Sequence, residues 1–434
     1  MGKVLGGGSS INVMAWVRGH QNDWCYFAAE AGDKSWNYES VLDIYRRMED
    51  WHGAPDPKRR GVSGLAHVEP SPDPHCLAMA VVKGAESVGM PSFDSNNGRM
   101  MEGHGGASIL DVRVRNGQRQ SAFRAYVTLY LKRPNLTVLT HALVTRLCMQ
   151  GDRVTGVEFH HNGKIRRVGA GSEVIVSLGA IHTPKLLMQS GIGDADELRR
   201  FGIPVTQHLP GVGQNFQDHV LVPCNGLSGS DFAAQPRIVC DFLLEERHMA
   251  LDTPVLQACV LPTPWSTPEV AARFDIPEYG WTMCAGAVRP ESRGRVRLTG
   301  HNPLDPVCIQ TKMLADSRDM KAAIECVELC QEIADSAALR PFVKRATAPG
   351  ILGGGDLEDY IRGTAQTYWH QTCTAKMGRD DHSVVDGNLK VYGIERLRIA
   401  DGSIMPRVAT GNTMAPCMVI GERAGAVVKA DHGL

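Results

Sequence analysis

The stretch from Ser172 to Gly193 constrains the fold more than any other. It reads Ser-Glu-Val-Ile-Val-Ser-Leu-Gly-Ala-Ile-His-Thr-Pro-Lys-Leu-Leu-Met-Gln-Ser-Gly-Ile-Gly. Val174–Leu178 is a short β-branched run suited to a buried strand. Gly179-Ala180 turns the chain tightly, Pro184 suits a first helical residue, and Gly191 suits a helix end. Strand, glycine turn and helix together form the unit from which nucleotide-binding α/β sheets are assembled. A second strand, Leu397–Ala400, runs into Asp401-Gly402. The C-terminal end of a strand is where such sheets face their ligands.

At 434 residues the chain has room for two or three domains. Its 46 basic residues balance 47 acidic ones. That balance gives no electrostatic reason to expect nucleic acid or an anionic membrane as partner. No apolar run is long enough to span a bilayer, and Met1-Gly-Lys leads into glycines instead of a secretory h-region. Twelve cysteines are scattered without a Cys-x-x-Cys. Free thiols and a cytoplasmic location are therefore expected.

Along the chain, residues 36–50 and Cys76–Val88 carry helical periodicity, and a further helix is expected from Ser121 to Leu131. From Leu136 the texture becomes that of a β-meander: Leu136–Thr140, Val144–Met149, Val154–His161 and Ile165–Val168. His160 and His161 are neighbours on a strand and point to opposite faces, so no metal site is expected there or elsewhere. Residues 225–315 alternate short strands with Pro-rich turns, and 319–336 read as a strong helix. The fold class is mixed α/β and α+β, in two intertwined domains with discontinuous boundaries.

Three polar constellations suggest chemistry. At the start, Gly6-Gly7-Gly8-Ser9-Ser10 supplies backbone that can approach a ligand without a Cβ in the way. Val4 and Leu5 before it, and Ile11, Val13 and Met14 after it, imply that this loop joins buried segments. Ser9 or Ser10 would cap a helix from Ile11. Near the end, Thr367-Tyr-Trp-His370 places a histidine in a polar turn. Close behind it, Asn412-Thr413-Met414 precedes a helix expected to start at Pro416. His219, beside Asp218, reads as a hydrogen-bonded structural histidine.

Together these stretches resemble the glucose–methanol–choline (GMC) flavin oxidoreductases over almost the whole chain. Gly2 to His20 is similar to that family's first signature, and Gly179 to Gly193 to its second. Pro210-Gly-Val-Gly-Gln-Asn-Phe-Gln-Asp-His219 and Arg293-Gly-Arg-Val-Arg-Leu298 match further family segments. The resemblance implies FAD as cofactor and the oxidation of a small-molecule alcohol to an aldehyde or ketone, a dehydrogenase by analogy. It implies an FAD-binding Rossmann-like domain made of residues 1–20, 135–225 and 385–434. A substrate domain built on an antiparallel sheet with helices would take 21–134 and 226–384.

His370 would be the general base, since a neutral imidazole accepts a proton near neutrality. Asn412 would hold the substrate oxygen. Gly7, Gly8, Ser9, Asn12, Val13, Met14, Val144, Asp401, Gly402, Thr413 and Met414 would contact the cofactor, with the helix N-terminus after Met414 facing negative charge on the reduced flavin. The chain shows no strand-led Gly-x-Gly-x-x-Gly. The expectation is that it begins after the family's N-terminal βαβ unit. Two other readings follow from the same motifs: a hydroxynitrile lyase on this fold, and a flavin-free or inactive fragment.

Overall fold

The computed structural model describes residues 2–227, 240–244, 253–274, 276, 280–350 and 354–434. Two hydrophobic cores organise them. The first gathers Trp16, Trp24, Trp36 and Tyr45 with Leu147, Val176, Leu187, Met377, Leu397, Ile399 and Val419. The second gathers Leu77, Val81 and Val222 with Leu256, Met283, Val327, Ile333 and Tyr360. Each core draws on segments far apart in sequence. Residues Trp24 to Val68, grouped with the substrate side by sequence, pack in the first core.

The first core is built on small sheets. Val174–Val176 pairs in parallel with Leu397–Ile399, so the two strands singled out in sequence are neighbours. The meander has three antiparallel strands, Leu143–Gln150, Arg153–His161 and Lys164–Gly169. Leu136–Thr140, expected as its first strand, forms no ladder. All five of those residues are exposed, so alternation there meets no partner strand to bury one face.

The second core lies on a seven-stranded, largely antiparallel sheet. Val220–Leu227 sits beside Gly280–Ala287, which pairs with Leu256–Leu261, then Cys240–Leu244, then Gly106–Ser108. The helix Ser317–Ala334 packs on this sheet with Met320, Cys326, Val327 and Ile333 inward, the face its periodicity selects.

The helix after the glycine turn begins earlier than expected. It spans Gly179–Gln189, with Pro184 inside it and not at its start. Proline has no N–H, so the carbonyl four residues back, that of Ala180, loses its helical donor. Thr374 fills the gap, its hydroxyl donating to Ala180 O at 2.6 Å. A helix at Gln21–Ala31 was not expected from sequence. His20 caps it through Nδ1, which accepts from Asn22 N at 3.2 Å, while Asp23 accepts from His20 N.

A buried ion cluster ties the N-terminal segment to the first core. Glu49 is fully buried and accepts from Arg18 Nε at 2.8 Å and from Trp16 Nε1 at 2.6 Å. Arg60 pairs with Glu49 and with the buried Asp111. Removing one member of such a group typically costs about 3–5 kcal/mol, because the other charge is left without compensation.

Candidate active site

The two cores meet around one open cleft of about 3360 Å³. All the residues expected at the site line it, from Gly7 and Gly8 through Val144 and His370 to Met414. The chemistry concentrates at His370. Its Nε2 lies 3.2 Å from Asn412 Nδ2. Asn412 Oδ1 accepts from Gln257 Nε2 at 3.2 Å, which turns the amide nitrogen of Asn412 toward the ring. Nε2 of His370 is therefore the acceptor, and its ring proton sits on Nδ1. That proton points at His219 Nδ1, 2.9 Å away.

The turn carrying His370 is pinned from below. Asp218 Oδ1 accepts the backbone N–H of His370 at 2.9 Å, and Oδ2 accepts from Gln371 Nε2 at 3.0 Å and from the Thr367 hydroxyl. Trp369, just before the histidine, adopts φ 60° and stays 54% exposed. A bulky residue in the left-handed region costs energy and marks a constrained turn. Tyr368 stacks on the His370 ring at 5.2 Å and 8°.

Burial sets the protonation states. Loss of hydration alone pushes His370 down to about 3, and burial, followed by repulsion from His370, holds His219 well below the imidazole range. Both rings are neutral at physiological pH. Burial pushes Asp218 up to about 6, with the hydrogen bonds from Thr367, His370 and Gln371 opposing it.

The opposite wall of the cleft differs from expectation in detail. Gly7–Ser10 form a 3-10 turn and no helix follows from Ile11. Val4, Leu5, Ile11 and Val13, expected to be buried, are 45 to 58% exposed. They line the cleft, where Leu139 and Leu143 add further exposed apolar surface. A Cβ built on Gly7 or Gly8 would meet nothing within 4 Å, so both glycines leave their backbone open.

The terminal helix starts at Met414, two residues before Pro416, and no side chain caps it at Thr413. Its first N–H groups are left for a ligand. Exposed apolar walls, open glycine backbone and an uncapped 19-residue helix fit a large planar cofactor with anionic groups.

Some expected cofactor residues already have protein partners. Asp401 Oδ2 accepts from Gly179 N at 2.9 Å and Thr183 Oγ1 at 2.6 Å, and Oδ1 accepts from Ser403 N at 2.8 Å. Its carboxylate thus locks the strand end to the Gly179 turn. The Ser9 hydroxyl donates to Gly6 O and accepts from Ala122 N. Asn12 Oδ1 accepts from Met14 N and from Arg119.

Sequence reading missed Gln257, Tyr368 and Arg119, all of which line the cleft. It also set aside His219 as merely structural. No local motif marks them, because each acts through a residue more than a hundred positions away or through a neighbour's stacking.

Family models described as GMC oxidoreductase match residues 1–221 and 290–421. The chain belongs to the GMC oxidoreductase family. Mitochondrial choline dehydrogenase from Homo sapiens is 35% identical, covering 100% of this chain and 76% of that protein. Oxygen-dependent choline dehydrogenase from Paraburkholderia xenovorans is 33% identical, covering 100% of this chain and 81% of that one. Among solved structures, pyridoxine 4-oxidase from Mesorbium loti superimposes with a TM-score of 0.89 at 26% identity, over 98% of this chain and 83% of that one.

As a GMC oxidoreductase the chain is of the FAD-dependent class. The expectation that the N-terminal unit is lacking is not borne out, since the N-terminal family model matches from residue 1. Among the described residues no helix is long and apolar enough to cross a membrane.

Proposed function

We propose that this GMC oxidoreductase oxidises a primary alcohol to an aldehyde at the cleft, with His370 as general base and Asn412 as the donor to the substrate oxygen. The observation that supports the reading is the directed chain Gln257, Asn412, His370, His219, which makes Nε2 of His370 an acceptor at the cleft wall with the Asn412 amide as its donor. A hydroxyl entering between Asn412 and His370 takes over the amide's hydrogen bond on its oxygen. It gives its own to Nε2. The proton passes to His370 as the carbon gives up a hydride. FAD, when bound, supplies the hydride acceptor.

The substrate class we favour is a choline-type amino alcohol. Tyr368, Trp369 and Trp265 stand on the substrate side of the cleft, with the two tryptophan rings in edge-to-face contact at 5.7 Å. Aromatic faces attract quaternary ammonium groups. The choline dehydrogenases at 33–35% identity support the same class. We also propose that the cofactor is held by Gly7, Gly8, Asn12, Val13, Met14, Val144, Thr413 and Met414. Asp401 and Ser9 would then shape the site through the contacts above. Two interleaved domains are part of this proposal, with Trp24 to Val68 moved to the cofactor side on the strength of the core they pack in.

The test is anaerobic mixing of FAD-loaded protein with choline and with neutral primary alcohols. Bleaching of the flavin by choline supports the reading. An oxidised flavin that persists with every alcohol tested, while a cyanohydrin is cleaved, overturns it in favour of a lyase.

A further inference from the structure

A second histidine cluster lies outside the cleft, on the parallel strand pair Glu49–Trp51 and Ala66–Pro70. The register places Asp50 opposite His67. Asp50 Oδ2 lies 2.9 Å from His52 Nε2 and 3.6 Å from His67 Nδ1. One ligand atom from each of the three residues falls within 4.8 Å of the others. The two imidazole rings are 4.3 Å apart, centroid to centroid. Zinc bonds of about 2.0–2.2 Å to nitrogen and oxygen in a tetrahedron set donor atoms about 3.3–3.5 Å apart. The two separations to Asp50 Oδ2 are within about half an ångström of that, and the two imidazole donors, inside 4.8 Å of each other, have to close on the ion.

His67 supplies the independent observation. Its side chain is 8% exposed, yet neither ring nitrogen makes a hydrogen bond. A buried imidazole is ordinarily satisfied, because an unpaired polar group out of water is costly. Nδ1 faces Asp50, and Nε2 faces Glu69 Oε2 at 3.4 Å. A ligating nitrogen on one side of the ring and a carboxylate on the other is the arrangement that fixes a histidine's tautomer at a metal.

We propose that Asp50, His52 and His67 bind a divalent transition metal of the zinc class, with Glu69 orienting His67 and a fourth position open to water. Two imidazoles and a carboxylate suit such an ion better than calcium or magnesium. The metal would tie the strand pair to the start of the 52–65 loop, whose Arg60 reaches the buried Glu49 and Asp111.

The experiment titrates the full-length protein with Zn2+ against a chromophoric chelator, alongside thermal unfolding with and without the metal. One zinc per chain is expected, with a higher Tm in its presence, since a ligand bound only by the folded state stabilises it. His52→Ala, at an exposed side chain, should weaken binding at least tenfold and abolish the Tm rise. Asp50→Asn should do the same, so a failure of His67→Ala to fold leaves the test intact.

Co2+ in place of zinc reports the donors: four-coordinate d–d bands without thiolate charge transfer are expected. No stoichiometric binding overturns the assignment, as does binding untouched by His52→Ala. A thiolate band, placing the metal on cysteines, would also overturn it.

Discussion

Among the described residues, two pairs of histidines each stand beside an aspartate, and they are built for different work. At the cleft wall, His370 hydrogen-bonds to the fully buried His219 behind it, and Asp218 grips the backbone of His370 and not its ring. On the outer strand pair, Asp50 faces both rings, and His67 finds no hydrogen-bond partner. The first arrangement ties Nδ1 of His370 to a buried ring and leaves Nε2 as an acceptor held by the amide of Asn412, a bond that a substrate hydroxyl can replace, as a base requires. The second brings two imidazoles to one carboxylate oxygen, the His52 ring by a hydrogen bond at 2.9 Å, with donor atoms near enough for a cation to take the proton's place. Residue type is the same in both. What differs is whether the carboxylate holds the backbone or converges with the imidazoles.

The largest expected effect is at His370. His370→Ala should slow alcohol-dependent flavin reduction by about 10²–10⁴-fold, the usual worth of a positioned base, with FAD still bound. His52→Ala should leave that rate unchanged. Stopped-flow absorbance under anaerobic conditions measures both, and equal rates for His370→Ala and the parent protein would break the comparison. Asn412→Ala comes next, at about 3 kcal/mol of lost transition-state stabilisation. It should lower kcat more than it raises KM.

His219→Phe should cost about 10–100-fold, the scale seen when the outer partner of a functional imidazole is removed. The flavin should remain bound and His219→Asn should recover part of the rate, because an amide oxygen can accept the Nδ1 proton of His370.

The smallest effects are expected in the pH dependence of stability, where the members of the cleft cluster pull in opposite directions. His370 is held neutral down to about pH 3 in the fold but protonates near 6.5 when unfolded. It therefore stabilises the fold above about 6.5, and that stability drains away as pH falls toward 3, at about 1.4 kcal/mol per pH unit. Asp218, raised to about 6, acts the other way: its folded form holds a proton that the unfolded chain has released, so it favours folding as pH drops from about 6 to about 4. The two slopes offset between about pH 6 and 4, and His219, also held neutral by burial, tips the balance: urea unfolding between pH 4 and 8 should show stability falling below 6.5, with a shallower slope in His370→Leu and a steeper one in Asp218→Asn.

Local pattern made the catalytic segment legible. The strand ending at Asp401, the turn at His370 and the uncapped helix after Thr413 each lie within one short stretch, and the resemblance aligned them. Details governed by distant partners were not legible. The Ala180 carbonyl could accept Thr374, so the helix tolerates Pro184 in its interior. The Ile11 and Val13 side chains were read as core because they are apolar, yet they line a cleft wide enough to leave them half exposed. His20 is an unusual cap, so the helix at Gln21 carried no familiar start signal. Gln257 and His219 acquire meaning only when the second sheet brings them beside Asn412 and His370.

The Pro184 defect has a consequence for how this chain can change over time. A vacancy in one helix is filled by a hydroxyl from the segment that begins four residues after His370. Replacing Pro184 by alanine would restore the helical donor, and the Thr374 hydroxyl could keep the second lone pair of the same carbonyl. Replacing Thr374 alone would orphan Ala180 O. The dependence runs one way: the Thr374 hydroxyl is needed while Pro184 is present, and Pro184→Ala should reduce the stability cost of Thr374→Val.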